Sequence, residues 1–192
     1  MAEKEVQQRI GAPKGQKAWF VVVTYSTHEK KVAENLKIRA ESMGIKDNIF
    51  RIIVAETPVT VIDKNGNEKI KMKNLYPKYV FVEMIMDEWA WYVVRNTPGV
   101  TGFVGSSGKG TKPFPVPREQ IESVLKRIGE VDDSMFDRYA VGDAVRVISG
   151  ALEGTEGTIL SIDRETHIVE IETVFFQRTT KATVDFSEIE KI

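Results

Sequence analysis

The chain has 192 residues, 42% of them hydrophobic, which is enough for one large globular domain or two small ones with real cores. It contains no cysteine, so disulfides and thiolate metal sites are excluded, and it has neither an apolar run near membrane-span length nor a signal-like stretch in its first 17 residues; a soluble, cytoplasmic protein is expected. The net charge of −1 hides an asymmetry: through Glu130 there are 21 Lys and Arg against 15 Asp and Glu (+6), and after it 6 against 13 (−7), which implies two domains with different partners.

Residues 1–17 lack apolar periodicity and read as a disordered tail. Trp19 to Thr24 is aromatic and β-branched, a buried strand, and Ser26-Thr27-His28-Glu29 has the pattern of a capping box before a helix with the stripe Val32, Ala33, Leu36, Ala40 and Met43, ended by Gly44. A strand follows near Phe50 to Ala55. Then Val59 to Ile62 and Lys69 to Met72 flank Asn65-Gly66, a strong hairpin signal. Val80 to Ile85 is the next strand. Asp87 is placed to cap a short helix carrying Trp89, Ala90, Val93 and Val94, which must stop near Thr97-Pro98-Gly99, and Val100 to Val104 returns as a strand. After a loop over 105–117, Ile121, Val124, Leu125 and Ile128 mark a last helix closed by Gly129. These elements predict an α+β sandwich of helices on an antiparallel sheet for residues 18–129.

Residues 130–138, with Asp132, Asp133 and Ser134, have the composition of a linker. From Tyr139 to Ile192 the apolar period is two throughout, as in a small five-stranded all-β barrel. Its first part, Val141 to Ile159, places Gly150, Gly154 and Gly157 in and after a turn between branched strand residues, a spacing that resembles the KOW motif of transcription elongation factors and some ribosomal proteins. Phe175 and Phe176 are adjacent in a strand, so they face opposite ways and only one can be buried in the barrel.

Together with Ala18-Trp19-Phe20-Val21-Val22, Tyr76-Pro77-Lys78-Tyr79-Val80-Phe81-Val82, Arg95 to Gly105 and the terminal Asp185-Phe186-Ser187, this order resembles the bacterial NusG family over residues 18–192. The resemblance implies an N-terminal NGN domain that binds RNA polymerase, at the clamp helices of its largest subunit, through a depression at Val23, Tyr76, Pro77, Tyr79 and Phe81. It further implies that Asn96 and Thr97, with Arg95 beside them, meet non-template DNA of the transcription bubble and modulate pausing. On the barrel it implies a partner site at Phe175, Phe176 and Arg178 for the ribosomal protein NusE or the termination factor Rho, with Phe176 exposed. Lys78, Gln177 and Lys181 replace two glycines and a proline usual in the family. A monomer without cofactor or metal is expected.

An enzyme is not expected. His28 and His167 have no spacing that suggests a metal pair or a triad, and Gly105 to Thr111 fails the P-loop pattern because Gly110 separates Lys109 from Thr111. Two alternatives are a stand-alone RNA-binding module, since Lys78 to Val82 faintly resembles a strand with stackable aromatics, and a specialised fold-switching relative, which the β-branched barrel sequence disfavours.

Overall fold

The computed structural model describes residues 15–106, 110–175 and 178–192, with the backbone alone for Phe175. Strand β1 (Lys17–Thr24) leads into helix α1 (Glu29–Ser42), then β2 (Ile49–Ile53), β3 (Glu56–Ile62), β4 (Glu68–Asn74), β5 (Tyr79–Ile85), helix α2 (Glu88–Arg95) and β6 (Val100–Phe103). Four of these strands form an antiparallel sheet in the order β2-β5-β1-β6, while β3 and β4 form a separate two-stranded sheet.

Alternation along β1 and β5 decides which face is covered. Phe20 and Val22 of β1 and Val80, Val82 and Met84 of β5 point into a core closed by Val32 and Leu36 of α1 and by Trp89, Ala90 and Val93 of α2. Helix α2 starts where expected, because the Asp87 carboxylate accepts the Ala90 amide at 2.8 Å. The capping box expected at α1 does not form. His28 is the cap without a side-chain bond, Thr27 takes φ 68°, and Glu29 is turned elsewhere.

Helix α3 (Arg118–Arg127) and a helical turn α4 (Asp133–Phe136) precede the strands β7 (Ala144–Val147), β8 (Glu156–Asp163), β9 (Ile168–Phe175), β10 (Arg178–Asp185) and β11 (Ile189–Lys191). These five form one antiparallel sheet in the order β10-β9-β8-β7-β11, with Val145, Val147, Ile159, Val169, Ile171 and Ile189 buried on one face. The chain divides into two compact units between Ile121 and Glu122, inside α3. Residues 130–138 lie within the second of these units. Met135 and Phe136 are buried, and Phe136 stacks on Phe186 with ring centroids 4.1 Å apart, so this stretch is part of the second unit's packing and does not act as a spacer.

Candidate functional site

The face of the first sheet opposite the helices carries the pairs Val21↔Phe81 and Val23↔Tyr79. Tyr76 reaches the same place from the loop, its ring edge-on to Phe81 at a centroid distance of 5.6 Å. The five residues expected to form a depression do come together, but in different roles. Phe81 is buried and makes the floor, Val23 and Tyr76 are half-buried, and Pro77 and Tyr79 are exposed.

Tyr76 to Tyr79 is a tight turn in which the Tyr79 amide donates to the Tyr76 carbonyl at 3.2 Å. Pro77 stands where a fixed φ near −65° is favoured, and Lys78 takes φ 73°, the position of a type II turn that ordinarily requires glycine. The strain of a side chain there is held by a group that the sequence reading missed. The carboxylate of Glu29, at the start of α1, accepts the Lys78 amide at 2.6 Å and the Thr27 amide at 3.3 Å, so one buried oxygen organises both left-handed residues. The Lys78 carbonyl closes the arrangement by accepting the Thr24 amide at 2.8 Å. Burial by itself raises the Glu29 pKa, but the Lys78 amide, its own amide and the Thr27 amide outweigh this and hold it below the ordinary carboxylate value.

Because the folded pKa is depressed, the stabilisation from Glu29 is present above the ordinary carboxylate range and is lost as pH falls through the lowered folded value. Glu29→Ala is expected to cost about 2 kcal/mol by stranding buried amides. Glu29→Gln, which keeps an acceptor and loses the charge, should cost roughly half as much. Thermal melts at pH 7 and pH 4 check both, and equal stability of parent and Glu29→Ala at pH 7 would refute the clamp.

At the end of α2, Arg95 and Asn96 are exposed, and the Asn96 Nδ2 donates to the Tyr92 carbonyl at 2.7 Å, which leaves its Oδ1 available to a base edge. Thr97 beside it is held differently. It is 2% exposed and its hydroxyl donates to the Val93 carbonyl at 2.8 Å, so it terminates the helix internally. The following turn rests on α1: Asn35 Nδ2 donates to the Pro98 carbonyl at 3.2 Å.

In the second unit, Gly150 and Gly154 take φ 84° and φ 83° in the turn after β7. Gly157 serves close approach, since a Cβ there would lie 2.7 Å from the Glu172 carbonyl oxygen on the neighbouring strand. A groove on this sheet brings Gly154 and Gly157 together with Val174 and Thr179 and with the carboxylates of Glu156 and Glu172. Arg178 is exposed and pairs in register with Phe175 at the end of the β9–β10 ladder. The expected site residue Phe176 and the side chain of Phe175 lie outside the described residues. Among the described residues no group of His, Asp and Glu could hold a metal ion, and no helix is long and apolar enough to cross a membrane.

The family described as transcription termination factor nusG matches residues 17–125, and the KOW motif matches residues 141–172. The chain belongs to the NusG family. It is 44% identical to the transcription termination/antitermination protein NusG of Bacillus subtilis over 92% of this chain and 99% of that protein. The Staphylococcus aureus NusG is 41% identical over 93% of this chain and 97% of its own. Among solved structures, one describing domain interaction in Thermotoga maritima NusG shares 34% identity and a TM-score of 0.50, covering 92% of this chain and 98% of that one. The α+β first unit and the β7–β11 sheet of the second are thus the NGN and KOW parts of a transcription termination and antitermination factor, which is not an enzyme.

Proposed function

We propose that this NusG-family chain binds RNA polymerase, at the clamp helices of its largest subunit, through the Tyr76–Tyr79 turn and the half-buried Val23 beside it. The observation that carries this reading is the rigid presentation of Pro77 and Tyr79 over the Phe81 floor, an aromatic anchor of the kind that dominates protein interfaces. Arg95 and Asn96 contact non-template DNA and modulate pausing, the guanidinium on phosphate and the amide on a base. The second unit recruits NusE or Rho at the strand end near Phe175, Phe176 and Arg178, and the neighbouring carboxylate of Glu172 favours a basic partner, Glu156 beside it being paired with Arg146 at 2.6 Å. The factor acts as a cytoplasmic monomer, linking transcription to termination or to translation.

Tyr79→Ala in the full chain should weaken polymerase binding about 30-fold, close to 2 kcal/mol, with an unchanged melting temperature. Parent-like affinity in a folded variant would place the polymerase surface elsewhere. The two residues at the end of α2 should separate cleanly. Asn96→Ala is expected to shorten pauses at full stability and polymerase affinity, whereas Thr97→Ala should lower stability by about 1 kcal/mol, the worth of its internal hydrogen bond. Pause lifetimes and melts on both variants check this.

A further inference from the structure

The tip of the β3–β4 ribbon, Asn65-Gly66, carries a reactivity that the functions above do not use. In an asparagine followed by glycine the side-chain amide is open to attack by the next backbone nitrogen, because no Cβ on the following residue crowds the approach. The chain has six asparagines, and in the other five the next residue is Leu36, Ile49, Glu68, Leu75 or Thr97. A Cβ placed on Gly66 would meet nothing within 4 Å. Asn65 is exposed, and its side-chain amide makes no hydrogen bond among the described residues.

Asp63 holds this reactivity back. Its Oδ1 accepts the Asn65 amide at 2.8 Å and the Asn67 amide at 3.0 Å, its Oδ2 meets the Lys69 ammonium at 3.1 Å, and its backbone carbonyl accepts the Gly66 N–H at 3.0 Å. The Asn67 amide, Lys69 and the Asn65 amide keep the carboxyl below its ordinary pKa, so it is an ionised acceptor at neutral pH. An amide nitrogen attacks only after losing its proton, and the Gly66 N–H is committed to Asp63 while the turn is closed. The reaction therefore runs from conformations in which the turn has opened. The ribbon supplies them, because it is a separate two-stranded sheet, exposed all along residues 64–73, and such a ribbon opens more readily than a packed strand.

From this geometry we propose that Asn65 is a site of spontaneous self-modification, passing through a cyclic imide to aspartate and isoaspartate, and that the Asp63 carboxylate sets its pace by latching the turn. The Gly66 nitrogen gives its proton to solvent and bonds to Cγ of Asn65; the Cγ–Nδ2 bond breaks, and the nitrogen leaves as ammonia with a proton taken back from solvent. Water then opens the five-membered imide. Cleavage of the new Cγ–N bond leaves aspartate, whereas cleavage at the original main-chain carbonyl leaves isoaspartate, with the chain rerouted through the former side chain. Overall one water is consumed and one ammonia released, with no change of oxidation state. Either product sets a second carboxylate beside Asp63. Isoaspartate also lengthens the main chain by one carbon, in a loop whose length fixes the Ile62↔Glu68 register, so its effect falls on the pairing at the ribbon tip. Its free α-carboxylate is the group that an isoaspartyl methyltransferase esterifies.

The test is to incubate the full chain at neutral pH and physiological temperature and to follow each asparagine by peptide mass spectrometry, with labelled methyl transfer by an isoaspartyl methyltransferase counting the rearranged product. Asn65 should convert well ahead of Asn35, Asn48, Asn67, Asn74 and Asn96, and Asn65→Gln should remove the methyl-accepting product. Asp63→Ala should convert about 10-fold faster than the parent, the factor for one lost hydrogen bond to a charged group. Asp63→Asn, which keeps an acceptor oxygen without the charge, should fall between the two. The parent unfolded in urea, where no turn is held, sets the upper limit of the rate. Tryptophan fluorescence melts check that the first unit stays folded in each variant. The inference is overturned if Asn65 of the folded parent stays intact over the time in which the urea-unfolded parent reacts, or if Asp63→Ala and Asp63→Asn both convert at the parent's rate.

Discussion

Phe136→Ala is expected to destabilise the second unit by about 3 to 5 kcal/mol, although Phe136 lies in a stretch with the composition of a linker. Its ring is fully buried and stacked on Phe186, itself fully buried, which in turn meets Tyr139 edge-on at a centroid distance of 4.8 Å. The Asp132 carboxylate fixes the turn by accepting the Ser134 amide at 3.1 Å, so the backbone cannot relax freely into the space a truncation leaves. All three tryptophans, Trp19, Trp89 and Trp91, lie in the first unit, so tryptophan fluorescence follows that unit while far-UV circular dichroism follows both. The expected result is an early loss of strand signal with the tryptophan transition in place. An unchanged dichroism melt would return residues 130–138 to the role of a spacer.

The second large effect concerns Lys126, on the same helix as the apolar stripe but on a different side of it. The residue is 4% exposed, and its ammonium donates to the Tyr139 hydroxyl at 2.9 Å and to the Ile189 carbonyl at 2.8 Å and sits 3.8 Å from the centre of the Phe186 ring. Burial pushes its pKa down to about 8 against the pull of Glu122 and Glu190. Burial likewise pushes the Tyr139 hydroxyl up to about 12. Between pH 8 and about 10.5 the unfolded chain keeps a proton on Lys126 that the folded chain gives up, so stability rises with pH, by about 3 kcal/mol at most over the whole window. Above about pH 10 the unfolded chain ionises Tyr139 while the folded chain holds its proton, so that group's contribution reverses the trend. Lys126→Met, similar in length and uncharged, should abolish the rise and leave stability at pH 7 equal or higher, because it removes the desolvation of a buried cation. Unfolding midpoints from pH 7 to pH 11 decide the matter; parallel curves for parent and variant would show that folding does not shift the titration of Lys126.

What the sequence by itself determined are the features written in local or periodic terms. The aromatic and β-branched runs of Trp19 to Thr24 and Val80 to Ile85, the helical stripe of Val32, Leu36 and Ala40, the cap at Asp87 and the Asn65-Gly66 hairpin all follow from side-chain type, spacing and turn chemistry within a few residues. The family motifs placed Val23, Tyr76, Tyr79 and Phe81 on one surface because strand alternation carries register over such short distances. Only the tertiary structure decided which of them is floor and which is exposed, that Thr97 is internal while Asn96 is not, and that Glu29 serves a turn 49 residues away instead of its own helix. It also decided the fate of α3, whose Glu122 and Lys126 are as buried as its apolar stripe, with Glu122 bonded to Arg138 at 3.0 Å. Each of these rests on a long-range partner whose position no local pattern encodes. A buried charge or a lone phenylalanine between polar residues reads as surface or linker until the group that desolvates it is in place.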